Sequence, residues 1–392
     1  MDDVVILSAV RTPIGAFQGE LASIPAHALG ARALAAAIER AGVTPEEVQQ
    51  VNMGCVITAG QGQAPARQAA LGAGCPVSTG AVTLNKVCGS AMRAVMMGAN
   101  DLRCGDYKLV AAGGMENMSQ APYLALGARD GLRLGHGKLI DSMIHDGLWD
   151  PYNDVHMGNC AEICAAEYKI GREEQDAFSL ESYRRAREAS EKGLFAEEIV
   201  PVSVARKKET VAVDRDEEPF KVDLSRMSGL KPAFQKDGTV TAANASKIND
   251  GAAALVLTTA SEAKRMGRRP LARILAHSSL AQKPEWFTTA PVGAARAVLE
   301  RAGLKAADID LWEVNEAFAV VALAFARDLG LELDRVNVRG GAVALGHPIG
   351  ASGARILVTL LHALRERDAR LGCAAICIGG GEATAMVIER LD

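Results

Sequence analysis

The chain repeats itself. Glu39-Arg40-Ala41-Gly42-Val43 returns as Glu300-Arg301-Ala302-Gly303-Leu304, and downstream Val48 returns as Ile309. Gly89-Ser90-Ala91 has a counterpart in Gly353-Ala354-Arg355. The run 109–114 followed by Glu116 has one in 375–380 followed by Glu382. The offset stays in the low-to-mid 260s throughout. Several matches in one order mark the duplication of a half-domain, not a short solenoid repeat. Within the first copy, residues 4–8 and 51–56 read as strands, and 28–41 reads as a helix closed by Gly42. Thr44 and Pro45 then read as an N-cap and first helical position. Residues 64–73 read as a helix and 108–116 as a strand. Strands alternating with helices imply an α/β sheet covered on its faces. Two such halves packed about a pseudo-twofold would bring matching helix starts together.

Between the copies, about 119–249, the pattern changes. Charge runs appear at Arg206-Lys207-Lys208-Glu209 and Asp214-Arg215-Asp216-Glu217-Glu218, with a charged helix near 172–192. This region reads as an insertion on the first half that reaches over a site, or as a solvated surface excursion. Residues 252–258 return as a strand of the first half. The expected division is 1–118 plus 250–270, 119–249, and 271–392.

At 392 residues the chain exceeds one ordinary core. Apolar residues make up 49% and charged residues 23%, a soluble globular profile. A net charge of -4 argues against nucleic acid or an anionic membrane as partner. No apolar run approaches a membrane span. The first residues enter a strand without a signal-peptide pattern, and the last are not a peroxisomal address, so a cytoplasmic location is expected. Eight cysteines in such a chain are expected to be reduced. No CxxC pair occurs, so no metal is expected.

One stretch stands out: Asn85-Lys86-Val87-Cys88-Gly89-Ser90. A strand end precedes it, and a helix running to about Gly105 follows it. Cys88 would sit at the helix N-terminus, where unpaired N–H groups and the helix dipole favour a thiolate. Gly89 leaves room beside the sulfur. From these residues alone, Cys88 is either a nucleophile or a buried structural thiol. In the second half, the glycine-dense run 339–353 fits neither a phosphate loop nor a dinucleotide fingerprint. It presents a single histidine, His347, between Gly346 and Pro348, a better base candidate than an isolated core histidine. The repeat places Ser352 opposite Cys88. Cys377 precedes Gly379-Gly380-Gly381 at a strand mouth, where backbone N–H groups are open. Asn315-Glu316 enters an apolar helix, and a buried asparagine must find a protein or water partner.

These motifs together resemble the thiolase family, and its acetoacetyl-CoA branch in particular. The match spans essentially the whole chain through Asn85-Lys86-Val87-Cys88-Gly89-Ser90, Asn315-Glu316-Ala317-Phe318, Gly346-His347-Pro348-Ile349-Gly350 and Cys377-Ile378-Gly379-Gly380-Gly381. The resemblance implies a layered α-β-α-β-α fold of two thiolase-type halves with an inserted loop domain. It implies Cys88 as acyl-accepting nucleophile, His347 as its base and Cys377 as acid/base at the substrate α-carbon. Asn315 would hold a water that forms one oxyanion hole with His347. The N–H groups of Cys88 and Gly379 would form the other. Acetyl-CoA, acetoacetyl-CoA and CoA would be substrates and products, with no separate cofactor.

The resemblance further implies Leu148, His156, Met157, Lys221, Ser246 and Phe287 as CoA and substrate contacts. Lys247-Ile248 departs from the family's usual small residues after the CoA-contacting serine. Residues 127–140, with Arg129, Arg133 and Lys138, resemble the loop through which these enzymes form homotetramers, as dimers of dimers. Phe287, where many bacterial relatives carry methionine, resembles enzymes that also accept 2-methyl-branched substrates. It could equally be core packing. A ketosynthase would carry a second histidine instead of Cys377. A non-catalytic acyl-CoA or lipid carrier should have lost one of the three reactive residues, and a metal or redox protein would reveal itself by metal content. A 3-ketoacyl-CoA thiolase of broader chain-length range is the nearest alternative.

Overall fold

The computed structural model describes residues 2–392. The first half runs β1 (Val4–Arg11), α1 (Ala26–Ala41), β2 (Gln50–Gly54), α2 (Pro65–Gly72), β3 (Gly80–Leu84), α3 (Ser90–Cys104) and β4 (Leu109–Asn117). The insertion carries α4 (Met157–Tyr168), α5 (Arg172–Glu191) and the short α6 (Glu218–Lys221), with three two-stranded ribbons. β5 (Asn249–Thr259) then lies between β1 and β4, antiparallel to both. The second half runs β6 (Ala272–Ala281), α7 (Ala290–Ala302), β7 (Leu311–Val314), α8 (Ala319–Leu329), the short α9 (Ala342–Leu345), α10 (Ser352–Glu366), β8 (Leu371–Ile378) and β9 (Glu382–Arg390).

The sheet order is β7-β8-β9-β6-β1-β5-β4-β2-β3, and the two-residue strand Gly15–Ala16 pairs with β5. The halves mirror each other through the centre. Both have a parallel outer pair, β2 with β4 and β7 with β8, and antiparallel inner strands. Each also carries a one-residue bulge at the same place, Leu7 in β1 and Leu275 in β6. The partner of β3 is reduced to a single bridge between Trp312 and Val336. β1 and β6 meet over only two residue pairs, so the sheet turns a corner there.

Alternation along β1 shows the layering. Val5, Leu7 and Val10 pack with α1 and α2 on one side, while Val4, Ile6 and Ala9 pack with α3 and α10 on the other. That second cluster also takes Ala272, Ile274, Ala374 and Met386 from the other half, so α3 and α10 lie between the two half sheets. A third cluster places α7 against the outer face of β6 to β9. The result is five layers, α-β-α-β-α, in two duplicated halves. α10 is buried on nearly every side, as a central helix must be.

The repeated signals have repeated structures. Gly42 and Gly303 both take φ 68° and close α1 and α7. Thr44-Pro45 starts only a single 3-10 turn, whose Thr44 N–H donates to Glu47 at 2.7 Å. Lys305 and Asp308 repeat that bond at 2.7 Å. The insertion packs across the second half as well as the first: α4 and α5 contact α8, and α5 contacts α9. No helix among the described residues is long and apolar enough to cross a membrane.

Candidate active site

Where the starts of α3 and α10 meet the insertion there is a cavity of about 280 Å³. Cys88 comes to it from the first half. His347, Gly379 and Phe287 come from the second. Leu148, His156, Met157 and Ser246 come from the inserted segment.

The turn before α3 presents Cys88. Asn85 Oδ1 accepts the Val87 N–H at 2.9 Å, and Ser90 Oγ accepts the Lys86 N–H at 2.8 Å while donating to Val87 O at 2.6 Å. These bonds hold Val87 at φ 44°, a left-handed conformation costly for a β-branched residue. Gly89 is required by space, since a Cβ there would run into Ile378. Lys86 pairs with Glu382, tying the turn to the other half. The helix start alone would favour a thiolate, but the opposite effect prevails. Burial pushes the Cys88 thiol up to about 11, against the pull of the Gly379 and Cys88 N–H groups aimed at the sulfur. The residue itself is only half-buried, opening into the cavity. The cavity wall is apolar, and that desolvates the sulfur. At neutral pH it rests as a thiol.

His347 follows Gly346, whose φ of 107° suits only glycine and where a Cβ would meet the Asn249 amide. Asn249 Oδ1 accepts the His347 N–H at 2.9 Å, fixing the loop. The imidazole Nδ1 lies 2.6 Å from Ser352 Oγ, which lies 2.9 Å from Pro348 O. A carbonyl can only accept, so the Ser352 hydroxyl donates to it and receives the Nδ1 proton. Nε2 is left as a bare lone pair, buried with no partner among the described residues. Burial, helped by the charge of Arg355, pushes the imidazole down to about 3. The group is therefore a neutral base beside a neutral thiol.

Cys377 and Asn315 stand behind the wall, both fully buried. Burial raises the Cys377 thiol well above its usual value, and charge on Cys88 would push it further. Asn315 lies two residues before the wall residue Ala317. Neither polar atom of its amide has a partner among the described residues. Its neighbour Glu316 is anchored by Asn337, Ser182 and the Val343 N–H.

A family model described as Thiolase, N-terminal domain matches residues 4–261, and one described as Thiolase, C-terminal domain matches 268–390. An acetyl-CoA acetyltransferase of Cupriavidus necator is 54% identical over 392 residues, all of both chains. This chain belongs to the thiolase family. The mouse mitochondrial acetyl-CoA acetyltransferase is 53% identical over 393 residues, covering 100% of this chain and 92% of that protein. Among solved structures, the acetyl-CoA acetyltransferase of Bacillus anthracis superposes with a TM-score of 0.97 at 42% identity, covering 100% of this chain and 99% of that one. The Acat5 thiolase from Ascaris suum, in complex with coenzyme A, gives 0.95 at 45% identity, covering 99% and 100%.

In this thiolase the structure gathers Leu148, His156, Met157, Ser246 and Phe287 around one cavity. His156 Nδ1 accepts the Gly158 N–H at 3.1 Å, and its ring stacks on Phe234 at 4.7 Å. Because Nδ1 accepts that N–H, the ring carries its proton on Nε2, and burial lowers its pKa. Phe287 packs edge-on against Phe318 at 6.2 Å while also facing the cavity, so packing and lining are both true of it. Lys221 is not brought here. It sits on α6, 3.0 Å from Glu217, in a separate open cleft.

Several residues carry the site without having been singled out for it. Glu116 is fully buried at the end of β4 and accepts the Val56, Ile57 and Gly350 N–H groups at 3.0, 3.2 and 2.9 Å. It binds the histidine loop to the first half. Burial nonetheless raises its pKa to about 7. Ser352 stood out only as the repeat partner of Cys88, and Asn249 and Phe234 not at all. Their roles depend on loops from distant parts of the chain.

Proposed function

We propose that this thiolase is an acetyl-CoA C-acetyltransferase, reversibly condensing two acetyl-CoA into acetoacetyl-CoA and CoA through an acetyl-Cys88 intermediate. The observation that carries the reading is the meeting of the Cys88 sulfur, the bare Nε2 of His347 and the N–H groups of Cys88 and Gly379 in one cavity. In thiolysis, Cys88 gives its proton to His347 Nε2 as the sulfur attacks the keto carbon. The carbon–carbon bond breaks, and its electron pair leaves with the acetyl-CoA fragment as an enolate. Cys377 protonates that carbon. The enolate oxygen is met by protonated His347 and by a water held on the Asn315 amide. Incoming CoA returns a proton to Cys377 and attacks acetyl-Cys88. The oxyanion then forms against the Cys88 and Gly379 N–H groups, and the departing sulfur recovers its proton from His347. Two neutral groups at rest suit this sequence, because charge develops only where donors wait for it.

CoA enters as substrate and product, with no separate cofactor. Leu148, His156, Met157 and Ser246 support the pantetheine and thioester end. Lys221, in its separate cleft, is assigned to the far end of CoA. The excursion 127–139 exposes Leu132, Leu134 and Leu139, Leu134 completely, which supports a homotetramer assembled through this loop. A cytoplasmic location completes the proposal. The direct test is intact mass after incubation with acetyl-CoA. One acetyl adduct is expected on the wild type and none on Cys88→Ala, and an undiminished adduct on the variant refutes the assignment.

A further inference from the structure

Lys247 is out of character with its place. It is half-buried and lines an apolar cavity, directly after Ser246. A buried ammonium is costly unless its donors are satisfied. Here Nζ donates to Ala242 O at 2.6 Å and Ala245 O at 2.9 Å, and reaches Val343 O at 3.5 Å. The Tyr183 ring centre lies 5.7 Å away. Its direct contacts are carbonyl oxygens, and the one carboxylate acting on it, Glu218, does so through charge alone.

These partners join two parts of the site. Ala242 and Ala245 belong to the loop that carries Ser246, whose own N–H donates to Ala317 O at 2.9 Å. Val343 belongs to α9, which runs directly into Gly346 and His347. Glu218 accepts an Asn249 amide N–H at 3.2 Å, and Asn249 in turn accepts the His347 N–H. Two routes therefore lead from the ammonium to the histidine loop.

The geometry points to Lys247 as a positioning residue: its ammonium is an internal cation that clamps the Ser246 loop onto the element leading to His347. This rests on the acyltransferase reading, with the wall so held receiving the thioester. An apolar side chain of similar length can fill the space but cannot bind the carbonyls. A small amine entering the space left by a truncated lysine can bind them again.

The test is thiolysis of acetoacetyl-CoA by Lys247→Ala and Lys247→Met, each with methylammonium chloride or tetramethylammonium chloride at equal ionic strength. Charge-assisted bonds of this kind predict that both variants raise KM about tenfold. Because the Asn249 amide still fixes the His347 loop, kcat should stay within about threefold of wild type. Methylammonium should restore KM in Lys247→Ala but not in Lys247→Met, and tetramethylammonium, which has no N–H, in neither. A wild-type KM in either variant overturns the proposal, as does equal restoration by both salts. If Lys247→Ala does not fold, a wild-type KM in Lys247→Met is enough to overturn it. A wild type without thiolysis would instead refute the acyltransferase reading itself.

Discussion

The starts of α3 and α10 occupy matching places in the two halves, yet they do different work. Before α3, a strained turn at Val87 lifts Cys88 into the cavity, with its sulfur open on one side. At the matching position before Gly353, Ser352 is fully buried and spends its hydroxyl on the imidazole of His347 and on Pro348 O. The acidic residues at the end of β4 and the start of β9 diverge in the same way. Glu116 is sealed inside and collects three backbone N–H groups, while Glu382 is part-exposed and pairs with Lys86. A duplicated scaffold thus supplies two facing helix starts, and the burial of each decides which holds the reacting atom and which holds its base. The insertion breaks the symmetry further, because it closes over the second half from the first.

Removing the base from the second half should cost most. His347→Ala should lower kcat for thiolysis on the order of 10³-fold, within the range of general-base loss. A loss under tenfold would mean that Cys88 is activated without the second half. The first half can be probed without substrate. With a thiol pushed up to about 11, the Cys88 thiolate fraction, and so the iodoacetamide alkylation rate, should rise about tenfold per pH unit from 7 to 10. A rate that levels near neutral pH would show that the helix start prevails over burial after all. Ser352→Ala removes one hydrogen bond and frees the imidazole tautomer, so kcat should fall about tenfold with KM little changed. No change would mean that Ser352 is merely the silent partner of Cys88. The smallest effect is expected at Phe287, where one methyl group in an apolar pocket is at stake. Phe287→Met should lower the kcat/KM ratio of 2-methylacetoacetyl-CoA to acetoacetyl-CoA by no more than about tenfold. An unchanged ratio would assign Phe287 to packing alone.

The duplication was legible because its markers are local. A helix that ends in a left-handed glycine writes that demand into one residue, and Gly42 and Gly303 carry it at the same φ. The α/β class followed from the order of such markers, and the five layers from the family resemblance. The motif residues of the site could be named because they sit beside glycines and prolines that constrain short turns. Their protonation could not be read in the same way. Cys88 packs against Val56, Ile57, Met118, Met143 and Ile349, which arrive from distant segments of the chain. The tautomer of His347 depends on a carbonyl contact of Ser352 that only the folded loop creates. Lys221 was placed by local likeness alone, and the fold carries its helix to another cleft.

The central claim is a division of labour between Cys88 and Cys377, and one variant separates them. Cys377→Ala should be incubated with acetyl-CoA and followed in parallel for the Cys88 acetyl adduct, for acetyl exchange between CoA species, and for acetoacetyl-CoA. The account predicts that adduct and exchange persist while condensation is lost, because only the carbon–carbon step needs an acid/base at the α-carbon. Equal loss of exchange and condensation would contradict it and make Cys377 a support for Cys88 instead.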